Sequence, residues 1–436
     1  MHAFHYRDGT LCCEGVRLRD LAAEYGTPLY VYSGGTVRDH YRRLDAALAP
    51  LNRKICYAVK ANSNLAVLAL LAQEGAGFDI VSGGELFRVL RAGGKAESCS
   101  FAGVGKTREE IEYALREGIH SFNVESAAEL AFLNRVAGEL GCRAPAAARV
   151  NPNVDARTHA YISTGKKENK FGIDFEAIPE IYTEAARLPH LWMRGLQMHI
   201  GSQLTAIEPF VEALRKVAPL AAQLRDAHGI EFFSIGGGIG IIYEDSLRSG
   251  DPAWWTARED GESPLSVRVY AEAVAPLLEP LGLRILLEPG RVIVGNAGVL
   301  LTRVLYEKRG GAKTFTIVDA GMNDLIRPAL YQGHHEIVPV EENPGAERET
   351  VDVVGPVCES GDFLARDREM PATREGDLLA VLSAGAYGFV MSSNYNSRPL
   401  PAEVLVEGER AELVRARQRR EELTAGERIP EALGRG

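Results

Sequence analysis

Ile55-Cys56-Tyr57-Ala58-Val59-Lys60-Ala61-Asn62 is an apolar run that closes on a lysine. Similar short apolar runs recur at Phe78 to Val81, Ser98 to Ala102, Ser121 to Val124, Ala147 to Val150, Met193 to His199, Phe232 to Ile235 and Arg284 to Leu287. Strands that are apolar throughout are buried on both faces, as in parallel sheets. Between them, Thr107 to Glu117, Ser126 to Leu140 and Phe210 to His228 carry apolar residues at three-to-four spacing, which predicts helices. Thr107 precedes Glu109 and Glu110, and Ser126 precedes Glu129 in capping-box spacing, so two of these helices carry start signals. Eight strand-then-helix units predict a parallel (β/α)8 barrel over 34–295, with a doubly wound open sheet as the alternative.

The texture changes after the barrel. Thr314 to Val318, Thr350 to Val354, Leu378 to Leu382 and Glu403 to Val406 read as strands, and so does Leu29-Tyr30-Val31-Tyr32 near the start. A mostly-β second domain built from both chain ends, 1–33 and 296–436, is expected from this pattern. Tyr243 to Ser266, with Trp254-Trp255 inside it, reads as an extended surface loop, and Arg415 to Glu422 as a solvated terminal helix.

A chain of 436 residues is long enough for two cores. Its net charge of −10, with no basic block, argues against nucleic-acid binding. The N-terminal residues lack the features of a signal peptide, and no apolar run reaches transmembrane length. Cys12, Cys13, Cys56, Cys99, Cys142 and Cys358 show no CxxC spacing, which predicts no metal site, no disulfide framework and a cytoplasmic location.

Chemistry gathers at the strand ends, where barrel enzymes place their active sites. Lys60, Asp79, Arg149, His199, Gly236-Gly237-Gly238 and Glu288 all stand there. Desolvation at a strand end would lower the pKa of Lys60, as an amine needs in order to attack a carbonyl; the alternative is a lysine reaching out to water. Gly236-Gly237-Gly238-Ile239-Gly240 is either a tight turn or a loop whose N–H groups cradle a phosphate. Glu288, in Glu288-Pro289-Gly290-Arg291, either pairs with Arg291 or holds a ring nitrogen protonated. His199 is either a hydrogen-bonded strand-end residue or a plate stacked on a cofactor ring. Cys358, in Cys358-Glu359-Ser360-Gly361-Asp362, is either a buried structural cysteine or, beside acidic residues, a proton donor.

With these motifs the chain resembles the pyridoxal-phosphate-dependent diaminopimelate decarboxylases, in the alanine-racemase-like barrel class that also holds ornithine and arginine decarboxylases. The wider class shares Tyr57-Ala58-Val59-Lys60, His199-Ile200-Gly201-Ser202, Gly236 to Gly240 and Glu288 to Arg291. Three further stretches are similar to the diaminopimelate branch: Tyr161 to Gly165 with Asn169-Lys170-Phe171-Gly172, Met322 to Pro328, and Cys358 to Asp362. The segments Gln332-Gly333-His334 and Tyr243 to Ser266 depart from the commoner family pattern.

The resemblance implies that Lys60 holds pyridoxal 5'-phosphate as a Schiff base, with His199 stacked on its ring and Glu288 at its nitrogen. It implies a cofactor site completed by Asp79, Arg149, Ser202, Gly236, Gly237, Gly238, Gly240, Gly290, Arg291 and Tyr387. It assigns the distal carboxylate of meso-diaminopimelate to Arg291, Arg327 and Tyr331, with Tyr387 nearby, and the distal ammonium to Glu359. Lys60, Cys358 and His199 would be the catalytic residues. Lysine and carbon dioxide would be the products, in the last step of lysine biosynthesis. A homodimer with shared active sites is implied as well. Ornithine, arginine or carboxynorspermidine decarboxylation is the alternative activity. It is disfavoured because ornithine has no distal carboxylate for the arginines to meet.

Overall fold

The computed structural model describes residues 1–155, 170–257, 265–311 and 313–434. Eight parallel strands form a ring: β1 (Arg53–Ala58), β2 (Gly77–Ile80), β3 (Cys99–Phe101), β4 (Ser121–Val124), β5 (Ala144–Asn151), β6 (Leu191–Met198), β7 (Phe232–Ser234) and β8 (Arg284–Leu287). Each pairs with the next, and β8 pairs with β1, so the sheet is a closed barrel and the open-sheet alternative falls. Thr107 and Glu110 form a capping box ahead of the helix Arg108–Glu117. Ser126 caps the helix Ala127–Glu139 through the Glu129 N–H.

The register decides which side chains meet. Ala58 pairs with Asp79, Asp79 with Ser100, Asn123 with Ala147, Arg149 with Gln197, and Gln197 with Ser234. Paired residues point the same way and alternate residues return to the same face. Asp79, Asn123, Arg149, Gln197 and Ser234 therefore share the inside of the ring, with Glu288 continuing the same row past β8. Below this polar layer, Ala147, Phe232 and Leu286 make an apolar floor. Gly195 leaves room for it, since a Cβ there would lie 2.5 Å from the Phe232 ring.

The chain divides into two compact units, one of Met1–Ala3, Gly34–Ala297 and Gly385–Val390, the other of Phe4–Ser33, Gly298–Ala384 and Met391–Gly436. The stretch carrying Tyr387 thus groups with the barrel. In the second unit, the strand Leu29–Ser33 pairs antiparallel with Gly298–Arg309 and parallel with Ala402–Glu407, which ties both chain ends into one sheet.

Two expectations are corrected. The part of Tyr243 to Ser266 that is described is not an extended surface loop. Asp251 caps a short helix, Pro252–Thr256, Trp254 is buried, and the rings of Trp254 and Trp255 pack edge-on at 5.0 Å. Arg415 to Glu422 is not a helix either. Arg415 is the last residue of the strand Arg410–Arg415, tied to it by the pairing of its guanidinium with the buried carboxylate of Glu403, and a short 3-10 turn follows at Arg420–Thr424. No described helix is long and apolar enough to cross a membrane.

Candidate active site

Lys60 lies in a 3-10 turn, Val59–Ala61, immediately after β1. Its Nζ is 2.7 Å from Asp79 Oδ2, and Asp79 is 1 % exposed. Burial acts to lower the Lys60 pKa, but the Asp79 carboxylate, assisted by Tyr387, outweighs it, and the net shift is upward. The expectation of a depressed pKa is thereby reversed, because the desolvation argument omits the counter-ion supplied by the next strand. The lysine side chain is 40 % exposed, and the close contact with Asp79 keeps it charged.

Glu288 accepts hydrogen bonds from Ser234 Oγ at 2.7 Å and Gln197 Nε2 at 2.9 Å. It does not pair with Arg291, so that alternative is set aside. Burial raises its pKa to about 7, nearby Asp79 adds to the rise, and Ser234 and Lys60 oppose it. His199 Nδ1 accepts the Gly237 N–H at 3.3 Å. Burial, followed by the positive charges of Arg149 and Lys60, pushes the His199 pKa well below its usual value, so the ring is neutral.

The glycine turn follows β7. A Cβ on Gly237 would sit 2.1 Å from Glu288 O, and one on Gly238 2.4 Å from Gly201 O. Glycine is required there because three backbone segments converge. Leu204 N donates to Gly238 O at 2.9 Å, which brings the turn beside Ser202. Arg291, 7 % exposed, donates to the Tyr243 hydroxyl and to Ser202 Oγ at 3.1 Å, and its guanidinium lies 4.7 Å from the Tyr387 ring centroid. Gly290 precedes it, and a Cβ there would lie 2.9 Å from that of Ala61.

Arg149 pairs with Glu125 at 3.0 Å, both side chains being buried. Glu125 also accepts the N–H groups of Gly103 at 3.1 Å and Gly172 at 2.9 Å. Behind it, buried Lys106 pairs with the half-buried Glu129 at 2.6 Å, and Glu129 accepts the Glu125 N–H at 2.8 Å. Sequence reasoning missed Glu125, Gln197, Ser234 and Tyr243. Glu125 was detectable as one more ionisable residue directly after an apolar strand. Gln197 and Ser234 lie within strands and become significant only through register. Tyr243 was hidden in a segment read as a loop.

In the second unit, Arg327 opens the helix Arg327–Tyr331 and is buried, while Tyr331 closes it half-buried. Cys358 and Glu359 are both exposed, so Cys358 is not a buried structural cysteine. Their turn is held from below: Asp362 accepts the N–H groups of Met322 and Val357, each at 2.6 Å, and Asn396 Oδ1 accepts the Cys358 N–H at 2.8 Å. Tyr161 to Gly165 and Asn169 lie outside the described residues. Phe171 packs under the Arg149 guanidinium at 4.9 Å.

The barrel residues fit pyridoxal phosphate. A primary amine, a neutral imidazole and a carboxyl group whose pKa burial raises to about 7 face one interior, and Asp79 Oδ1 is buried there without a hydrogen-bond partner. The model of the pyridoxal-binding domain of pyridoxal-dependent decarboxylases matches residues 34–295. A diaminopimelate decarboxylase from Pseudomonas fluorescens is 53% identical over 432 residues, covering 98% of this chain and 99% of that one. One from Aquifex aeolicus is 47% identical, with 95% and 94% covered. Among solved structures, the Helicobacter pylori diaminopimelate decarboxylase complexed with L-lysine is 41% identical, covers 94% of this chain and 98% of its own, and has a TM-score of 0.86. The M. jannaschii enzyme in co-complex with L-lysine is 36% identical, with 99% and 100% covered and a TM-score of 0.90. By fold, site and relatives alike, the chain belongs to the diaminopimelate decarboxylases of the pyridoxal-dependent decarboxylase family.

Proposed function

We infer that the protein converts meso-2,6-diaminopimelate to L-lysine and carbon dioxide, the step that ends lysine biosynthesis, with pyridoxal 5'-phosphate as cofactor. The observation that carries this is the meeting of Lys60, Asp79, His199 and Glu288 at the inner strand ends of one barrel. When bound, the cofactor supplies an electron sink for the pair released as the carboxylate leaves. Everything else is done by the chain.

Lys60 Nζ attacks a carbonyl only as a neutral amine, and Asp79 Oδ2 at 2.7 Å is placed to hold the departing proton. Glu288, steadied by Ser234 and Gln197, would hold the cofactor's ring nitrogen through a shared proton. His199, neutral, would stack on the ring, where a charged imidazolium would oppose a protonated one. Gly236, Gly237, Gly238 and Gly240, with Ser202 and Tyr387, would hold the phosphate. Arg149 keeps the wall of the site in place through Glu125. Arg291, Arg327 and Tyr331 bind the carboxylate that the product retains, and Glu359 binds its ammonium. Cys358 Sγ delivers the proton that replaces the lost carboxylate.

The exposed Cys358 and Glu359 turn is consistent with a homodimer in which this segment serves the partner's site. The net charge of −10 supports small-molecule substrates without nucleic-acid partners, and the free cysteines Cys12, Cys13, Cys56, Cys99, Cys142 and Cys358 fit a reducing cytoplasm. The test is to supply the loaded enzyme with meso-diaminopimelate, ornithine and arginine separately and to assay carbon dioxide and amine. Lysine from the first alone is expected. Turnover of ornithine without turnover of diaminopimelate would overturn the reading.

A further inference from the structure

In the second unit the strands Thr314–Val318 and Arg348–Val354 run parallel, with Ile317 beside Val354, so the segments that follow them leave the sheet at the same end. One passes through Gly321 to Leu325 into the helix Arg327–Tyr331. The other, Gly355 to Asp362, carries Cys358 and Glu359 and turns back into the strand Phe363–Pro371. Two glycines let the two turns touch. A Cβ on Gly355 would sit 2.5 Å from Gly321 Cα and 2.6 Å from Asp362 Oδ2, and one on Gly321 would sit 3.1 Å from Asp362 Oδ1. Asp362, 5 % exposed, lies between them: the Met322 N–H donates to Oδ1 and the Val357 N–H to Oδ2, each at 2.6 Å. Accepting at both oxygens suits an ionised carboxylate, whereas an amide would set its NH2 against one of these groups. Burial raises the Asp362 pKa, and the Met322 and Val357 N–H groups and the charge of Arg398 oppose the rise. A third segment braces the same pair, since Ser393 N donates to Asn323 O at 2.9 Å and Asn396 Oδ1 accepts the Cys358 N–H at 2.8 Å.

We propose that Asp362 is a positioning residue for proton delivery, clamping the two turns together so that the Cys358 thiol stands in one place. It acts through the backbone on both sides of the cysteine. Its carboxylate holds the N–H of Val357, immediately before Cys358, and its own N–H donates at 3.0 Å to the carbonyl of Glu359, immediately after. The backbone is thereby fixed while the side chain stays exposed. That division suits a proton donor, which needs a defined position and an open path to the carbon it protonates. The inference rests on the assignment of Cys358 as proton donor made above.

Asp362→Asn is close to isosteric and removes one of the two tethers. In holoenzyme saturated with meso-diaminopimelate, kcat for carbon dioxide release is expected to fall about tenfold, since a slightly displaced reacting group loses much of its advantage. The near-visible absorbance of the bound cofactor should not change. Added to Cys358→Ser, whose thiol is already gone, the same substitution should alter kcat by less than about twofold. Asn396→Gly is the second variant. Asn396 has a φ of 55°, which glycine keeps, and its loss frees the Cys358 N–H without altering charge. Its kcat should fall by less, and again not in the Cys358→Ser background; should Asp362→Asn fail to fold, this cycle decides. Losses that multiply in the double variants, or an Asp362→Asn kcat within about twofold of wild type, would mean a merely structural carboxylate and overturn the proposal. A silent Asn396→Gly beside an impaired Asp362→Asn would assign the effect to charge and overturn it likewise. If Cys358→Ser lowers kcat while the other two do not, the positioning role alone fails; if Cys358→Ser keeps kcat, the proton-donor assignment fails with it.

Discussion

The barrel residues assigned to the cofactor and the turn that carries Cys358 and Glu359 are built on different kinds of scaffold. Asp79, Arg149, Gln197, Ser234 and Glu288 stand on or beside parallel strands, mutually registered and buried, with Glu288 bonded to Ser234 and Gln197 and Arg149 paired with Glu125. Cys358 and Glu359 sit on an exposed turn, steadied by backbone N–H bonds, among them those to Asp362 and Asn396. Strand ends hold geometry, while turns tolerate change in side chain. The first set should therefore couple chemistry to stability, and the second should separate them.

The largest effect is expected at Lys60. Lys60→Ala should lose the near-visible absorbance of the bound cofactor and lower kcat on the order of 10³-fold or more, as removal of a nucleophile does. A retained spectrum would break the cofactor half of the comparison. Next comes Glu125→Ala, which leaves buried Arg149 without its carboxylate. Chemical denaturation should show a loss of about 3–5 kcal/mol, and a loss below about 1 kcal/mol would show that the barrel wall is not held by this pair.

Cys358→Ser tests the other half. Its kcat is expected to fall about 10²-fold, the scale of a lost general acid, while stability stays within about 0.5 kcal/mol because the side chain is exposed. A matching fall in Tm would erase the contrast between turn and barrel. The smallest effect is a pH dependence. The folded-state pKa of Glu288, about 7, lies above its ordinary 4.5, so the stabilisation it contributes is complete below 4.5 and is lost as pH rises to about 7. Over that window the Tm of apoprotein should fall more for wild type than for Glu288→Gln, whose amide does not titrate. Parallel pH curves would show that Glu288 is not held in its protonated form.

The barrel was legible because eight apolar segments announce themselves, and the ionisable residues at several of their ends are a local signal. The charge state of Lys60 was not legible, since it depends on Asp79 across a strand pairing that no local pattern encodes. Gln197 and Ser234 escaped for the same reason: they are ordinary strand residues until register sets them against Glu288. The Tyr243 to Ser266 segment misled because its polarity conceals Trp254 and Tyr243, which turn inward. Arg415 misled because a charged run looks solvated until Glu403, a buried acid on the adjacent strand, accounts for it.

The central claim is that Lys60, charged beside Asp79 at the end of the first barrel strand, is the cofactor's anchor. Borohydride reduction of the cofactor-loaded protein followed by peptide mapping tests this directly. The account predicts a pyridoxyl group on the peptide containing Lys60 and on no other. Its appearance on Lys54, Lys106 or any other lysine would contradict the account.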